Sequence, residues 1–331
     1  MREPGSEQRV STDRVGAVST VVTGSVCLVT GGAGFIGSHL CDRLIGLGNE
    51  VVCLDNLIAT NGSDHNIRHL RDNPGFTFLE GSVLDPLPNG LMDTVDYVFH
   101  EAVSKNTVSI DDPVRDLEVN ARGTLQLLLA ARDSGVRKFV HASTGSVYGE
   151  HVAGPHSGSL RDPVSFYGVS KTAGELYCRV VHEMSGLDYT VIRYFHVIGS
   201  RQDSSDVGGV LPIFVRNCLE GTPIRIFGTG EQTRSFTSVS DVVEANVLAA
   251  TLTEESRGYF DCASGIRVTI NELAEFVQGE MSSNQGVIHE PWRRGDIMEF
   301  NIDNSTISGW GVNFNTDWRS VVRNVIDSMR A

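Results

Sequence analysis

Tyr167 and Lys171 stand four residues apart in Tyr-Gly-Val-Ser-Lys, a spacing that puts both side chains on one face of a helix. A lysine ammonium in that place stabilises a phenolate and lowers the proton affinity of the phenol. Tyr167 could then act as a base near neutral pH. Alone, the pair describes an exposed helix surface equally well. Its order in the chain argues for chemistry, since it follows a glycine-rich turn and then Thr144 in Ser143-Thr-Gly-Ser-Val-Tyr-Gly149.

That earlier turn is Gly31-Gly-Ala-Gly34-Phe-Ile-Gly37. It leaves an apolar run, Val26 to Thr30, and enters a stretch of helical spacing, Phe35 to Leu47. Strand, glycine turn and helix together are the context a dinucleotide site needs. Gly31 permits the tight turn, Gly34 lets the backbone approach a pyrophosphate, and Gly37 allows close helix–strand packing. The helix start offers free N–H groups and the positive end of its dipole to phosphates. Asp55 ends the next apolar run, Val51 to Leu54. Its carboxylate suits ribose hydroxyls and repels a 2′-phosphate, so the expected cofactor is NAD rather than NADP.

The elements that must carry these residues alternate. Short apolar strands are expected at 26–30, 51–54, 95–99, 138–141 and 189–194, with helices at 35–47, 114–134 and 166–185. This alternation predicts an α/β fold with a parallel, Rossmann-type doubly wound sheet. After about residue 195 it fails. Loops at 199–209 and 227–238 and helices near 210–220, 240–253 and 270–278 suggest a smaller α+β substrate lobe. The expected division is a disordered tail over 1–23, a cofactor domain over 24–195, and a lobe over 196–331 from which a segment near 235–260 returns to the first domain.

Composition narrows the function classes. Apolar residues are 40% of the 331, enough to exclude a wholly disordered chain. Asp plus Glu outnumber Lys plus Arg by 41 to 27, and such a surface repels nucleic-acid backbones. No apolar run reaches the roughly 18–20 residues of a membrane span. The stretch 17–30 runs straight into the glycine turn; its second half is read as a strand, and no secretion signal is expected. The six cysteines, at 27, 41, 53, 178, 218 and 262, show no metal-type spacing. They read as buried thiols of a cytoplasmic protein, and no metal is expected.

In order along the chain, GGAGFIG, LDN at 54–56, HEA at 100–102, VNARGT around Asn120, STGSVYG, YGVSK, RYFHVIG at 193–199, FGTGEQTRSF at 227–236 and RRGD at 293–296 resemble the extended short-chain dehydrogenase/reductases that act on nucleotide sugars, the group typified by UDP-galactose 4-epimerase. The resemblance covers about residues 25–310. It implies that Tyr167 removes a proton from a sugar hydroxyl, that Thr144 orients that hydroxyl beside Ser146, and that Lys171 binds the nicotinamide ribose and tunes Tyr167. It places Phe35, Ile36, Asn56, Ser82, Val83, Lys105 and Asn120 with Gly31, Gly34, Gly37 and Asp55 around the cofactor. It gives the nucleotide sugar to Lys105, Thr144, Ser146, His196, Arg234, Arg293, Asp296 and Phe300, the two arginines matching a diphosphate. It also implies a homodimer through the helices 114–134 and 165–185, with Leu125, Leu128, Leu129, Leu176 and Val180 supplying apolar area.

Three positions depart from the family pattern. Ser82 stands where Asp usually contacts adenine, His196 where Asn usually lies near the substrate phosphates, and Ser235 where Asp usually follows the arginine. The His196 imidazole would carry a pH-dependent charge. After Thr144 the chain has Gly145 and Ser146, whereas the family's dehydratases and decarboxylases place carboxylates there as extra acid and base. Unless Glu101 reaches the site, this favours a 4-epimerase of a UDP-hexose or UDP-hexuronate over a 4,6-dehydratase, a decarboxylase or a 4-ketoreductase. In that reaction the C4 hydroxyl is oxidised, the 4-keto sugar turns about its diphosphate link, and it is reduced on its other face. Phe300 would exclude a 2-acetamido group. A silent NAD-binding protein is the reading from another class, and the intact Thr144, Tyr167 and Lys171 speak against it.

Overall fold

The structure is a computed structural model that describes residues 22–58, 63–150, 161–293 and 295–330. Most of the expected tail lies outside these residues. Val22, placed in that tail, is buried, and its carbonyl accepts a bond from Asn49.

Six strands, β1 (Val26–Thr30), β2 (Glu50–Asp55), β3 (Phe76–Glu80), β4 (Tyr97–His100), β5 (Lys138–Thr144) and β6 (Asp188–Tyr194), form one sheet in the order 3-2-1-4-5-6. A seventh, Gly258–Cys262, pairs with β6 at the edge. All pairings are parallel, as the expected doubly wound sheet requires. β1 and β4 are neighbours, so successive crossovers diverge there, and ligands of such sheets bind at that point beside the carboxyl ends of the strands.

Apolar residues cover both faces. On one, Leu40, Cys41 and Leu44 of the Phe35–Gly46 helix meet Val242, Val243 and Ala249 of the Val239–Thr251 helix. On the other, Leu127, Leu128 and Ala131 meet Cys178 and Val181. Leu128 is fully buried there, so it belongs to the core and cannot supply an outer face, as the sequence had suggested. Away from the sheet, the helices Val210–Leu219, Ile270–Met281 and Trp318–Arg330 enclose a second apolar cluster with Ile224 and Ile226.

The helix expected over 114–134 is regular only at its ends. Pro113–Leu117 and Thr124–Asp133 are α-helical, and Glu118–Gly123 widens into a π-type turn. Two long-range contacts fit this irregularity. Gly123 lies so close to Val83 that an added Cβ would sit 2.7 Å from its methyl, and the Asn120 side chain is tied to other elements.

Candidate active site

A cavity of about 470 Å³ opens at the carboxyl ends of β1, β2, β4, β5 and β6. Its walls gather Gly31, Gly34, Phe35, Ile36, Gly37, Asp55, Asn56, Ser82, Val83, Lys105, Thr144, Tyr167, Lys171 and His196. One end therefore carries the glycine turn and Asp55, and the other carries the candidate reacting groups.

The turn end is shaped by close backbone approach. Gly31 has φ +67°, and a Cβ on it would come 2.6 Å from the Ala102 nitrogen. A Cβ on Gly37 would come 2.2 Å from the Gly31 carbonyl oxygen. Gly34 caps the Phe35–Gly46 helix without a side-chain bond, so its first amides remain free for an anion. The Asp55 carboxylate accepts from the Ala33 and Leu57 amides at 3.1 and 2.8 Å. Burial nevertheless raises its proton affinity. These features fit a dinucleotide: a cradle that any side chain would fill, a helix start facing it, and an acceptor for ribose at the second strand. Ser82 lines the cavity, its amide bonded to the Asp85 carboxylate and its hydroxyl accepting from the Leu84 amide.

At the reacting end, Ser165 caps the Phe166–Ser185 helix by accepting from the Gly168 amide at 3.1 Å. This cap starts the helix so that its first turns bring Tyr167 and Lys171 to the cavity. Thr144 ends β5, and its hydroxyl lies 3.2 Å from the Ser146 hydroxyl and acts on the Tyr167 phenol to favour its ionised form. Ser146 thus supports Thr144. Burial raises the Tyr167 phenol above its ordinary value, with Asp116 and Glu101 adding to that and Thr144 opposing it. The net shift is therefore upward, against the expected lowering, because burial outweighs what opposes it. Lys171 is itself buried, which brings it down to about 8, and the carboxylates around it oppose that fall.

Several expected ligand residues have other partners here. Asn120 does not reach the cavity. Its amide accepts from the Ser104 nitrogen at 2.8 Å and donates to Ser104, Asp116 and Ser170, so it fixes the cavity wall from behind. Lys105 does line the cavity, but its ammonium pairs with Asp203 at 2.6 Å. Arg234 is buried and pairs with Asp296 at 2.7 Å. With Phe300 and Arg267 it lines a separate cavity of about 130 Å³. Arg293 stacks its guanidinium 3.9 Å from the Phe227 ring. Phe300 packs edge-on against Phe195 at 5.4 Å and lies 5.8 Å from the His196 ring.

His196 has φ +44°, a left-handed conformation in which Asn and His are enriched. The substitution is thus compatible with the backbone. Burial, with Arg234 second, holds its imidazole well below the usual range. It is neutral across physiological pH, and the expected variable charge is not there. The sequence reading kept Glu101 only as a reservation and did not single out Ser104 or Arg115, and all three line the cavity. Glu101 sits in the HEA segment right after β4, where the strand's carboxyl end is itself the signal.

Among the described residues no group of three or more His, Cys, Asp or Glu could hold a metal ion, and no helix is long and apolar enough to cross a membrane.

The chain matches the family described as "NAD dependent epimerase/dehydratase family" over residues 27–261. It is 36% identical over 291 residues to the UDP-glucose 4-epimerase of Mycolicibacterium smegmatis, covering 86% of this chain and 92% of that one. Its structure resembles the UDP-N-acetylglucosamine 4-epimerase of Methanobrevibacter ruminantium, solved in complex with UDP-N-acetylmuramic acid, with TM-score 0.86, 32% identity and coverage of 93% and 99%. It also resembles the UDP-glucuronic acid 4-epimerase of Bacillus cereus, solved with UDP-glucuronic acid and NAD, with TM-score 0.85, 29% identity and coverage of 92% and 99%.

Proposed function

The chain belongs to the NAD dependent epimerase/dehydratase family and its cofactor is NAD; from that premise we propose that it is a UDP-sugar 4-epimerase. The observation that carries this reading is at position 145. A Cβ on Gly145 would sit 2.3 Å from the Phe195 ring. The place directly after Thr144 therefore has no room for the carboxylate that dehydration draws on there, and two residues after Thr144, where the decarboxylases carry Glu, this chain has Ser146. An epimerase needs only one base at the sugar hydroxyl and a group to orient it.

Bound in the glycine cradle, NAD supplies reversible two-electron oxidation of a carbinol carbon and, when oxidised, a positive ring charge. Tyr167 accepts the sugar hydroxyl proton at its Oη and returns it. Thr144 holds that hydroxyl, and Lys171 favours the phenolate. Arg234 and Arg293 hold the diphosphate, which requires the Arg234–Asp296 pair to accept phosphate oxygens as a third partner. Phe300 stands beside the sugar and disfavours a 2-acetamido group.

The test is incubation of the NAD-loaded protein with UDP-glucose, UDP-galactose, UDP-glucuronate, UDP-N-acetylglucosamine and dTDP-glucose, followed by mass spectrometry and proton NMR. The expected product has unchanged mass and an inverted coupling at C4, with UDP-N-acetylglucosamine turned over at least about tenfold more slowly than the best hexose. Equal turnover of the two would remove the role given to Phe300. One feature favours a second reading, a dehydratase or decarboxylase: Glu101 brings a carboxyl to the cavity. Loss of water or carbon dioxide from a substrate would establish it.

We also propose a homodimer through the outer faces of the helices 124–133 and 166–185. Phe166, Met184, Val180, Leu176 and Leu129 all expose apolar surface there, from 36% for the two leucines to 78% for Met184, and a monomer gains nothing by leaving such a stripe in water. Light scattering should give twice the monomer mass, and Leu176→Glu with Val180→Glu should return it to one.

A further inference from the structure

The charge of Lys171 needs a partner, and of the carboxyls that act on it one lines the cavity. Lys171 is 1% exposed. Three carboxyls act on it, Glu101, Glu175 and Asp116. Glu175 is engaged by Arg193 and Arg161 at 2.7 and 2.8 Å. Asp116 holds the Asn120 amide and does not line the cavity. Glu101 does line it, as Lys171 and Tyr167 do. Its Oε1 accepts a 2.7 Å bond from the Tyr194 hydroxyl, which Asn246 holds in turn at 2.8 Å. Among the described residues no cation, Lys171 included, pairs with Glu101 within 4 Å, so the carboxylate acts on the ammonium through space rather than in a contact pair.

We propose that Glu101 is a positioning residue: its buried carboxylate, fixed by Tyr194 and Asn246 at the cavity floor, is the counter-charge that keeps Lys171 an ammonium beside Tyr167. The inference deepens the epimerase reading and rests on its assignment of Tyr167 and Lys171.

The physical need is plain. A buried ammonium loses its hydration and tends to release its proton. Burial brings Lys171 down to about 8, with Glu101 foremost among the groups that oppose this, and burial raises Glu101 to about 7 against Tyr194 and Lys171. The other groups facing the pair do not take Glu101's place. Burial drives His100 and His141 down, so both are neutral. Burial drives Cys178 and Cys262 up, so both remain thiols. The Glu101 carboxylate also raises Tyr167, as the smallest of the causes acting on it. Glu101 thus acts on the phenol in two opposed ways, and the pH profile reads their balance through Lys171. Without the carboxylate, Lys171 releases its proton at lower pH, and the alkaline side of the profile is lost first.

The chain holds only three lysines, Lys105, Lys138 and Lys171. Protein carrying ¹³C at lysine Cε, with NAD bound, therefore gives three side-chain signals, assigned with Lys105→Arg and Lys138→Arg. In Glu101→Gln, which keeps an acceptor for Tyr194, the Lys171 midpoint should fall by about one pH unit. The alkaline limb of kcat/KM should move by the same amount, and Glu101→Asp should restore both in part. An unmoved Lys171 midpoint in Glu101→Gln would overturn the proposal, as would a uniform loss of activity with the limb in place. The lysine titration is read without substrate, so it stands apart from the epimerase reading.

Discussion

Replacing Tyr167 by Phe should reduce kcat by about 10³-fold while leaving NAD binding intact and the KM for the nucleotide sugar within about threefold, as expected when a proton-transfer group is removed from the transition state. The ring occupies the same space, so the helix and the cavity wall persist. Only the hydroxyl is lost, and with it the group on which Thr144 acts. Thr144 keeps the Ser146 hydroxyl at 3.2 Å, so its rotamer has a remaining support. Because burial raises the phenol, the wild-type rate should climb with pH until the Lys171 ammonium is lost, and the residual rate of Tyr167→Phe should lack that climb. Initial rates from pH 6 to 9 with a coupled assay decide it. A variant with wild-type turnover would remove Tyr167 as base. It would also lend weight to a silent binder, whose function the missing hydroxyl should not affect.

The second large effect lies behind the site. Glu175→Gln should destabilise the fold by about 3–5 kcal/mol, the usual result of removing one partner of a buried pair. Glu175 is fully buried on the Phe166–Ser185 helix. Its Oε1 accepts from Ser143 at 2.7 Å and from Arg193 Nε at 2.8 Å, and its Oε2 from Arg193 Nη2 at 2.7 Å and Arg161 at 2.8 Å. An amide would turn NH₂ protons toward guanidinium protons and leave two cations without their anion. Arg193, on β6, continues the network to the Tyr148 hydroxyl, which donates to Asp261 on the edge strand at 2.7 Å. The helix bearing Tyr167, the strand bearing Thr144 and the edge of the sheet are thus tied through one carboxylate. Thermal unfolding followed by circular dichroism should show a Tm at least about 6 °C lower. Glu183→Gln on the same helix, in an exposed pair with Arg179, should change little. Equal Tm values for the two variants would show that the network contributes no stability.

Some features were legible in the sequence because their geometry is local. The glycine turn is a contiguous run whose function depends on its own φ angles and missing side chains, so Gly31, Gly34 and Gly37 announce it. Tyr167 and Lys171 are fixed relative to one another by one helix. The alternation of apolar strands and helices determined the parallel sheet, since each crossover must cover a face. Gly145 could be read as the absence of a carboxylate. The reason no side chain fits, the Phe195 ring, came only from the fold.

Partnerships across long sequence separations were decided by tertiary structure alone. Lys105 meets Asp203 and Arg234 meets Asp296 because segments far apart in the chain pack together. Neither spacing nor residue type marks those pairs in advance. Asn120 faces away from the ligand space because a π-type turn, irregular where the pattern was regular, commits its amide to Ser104, Asp116 and Ser170. The proton affinities of Tyr167, Lys171, His196 and Glu101 depend on burial and on neighbours brought together by packing. The sequence by itself determined which chemical groups the protein has and which of them share a helix or a turn. Which charges face one another in the dry part of the cavity was set by the folded chain, because electrostatic energy depends on distance and solvent exclusion, and neither is encoded in any single segment.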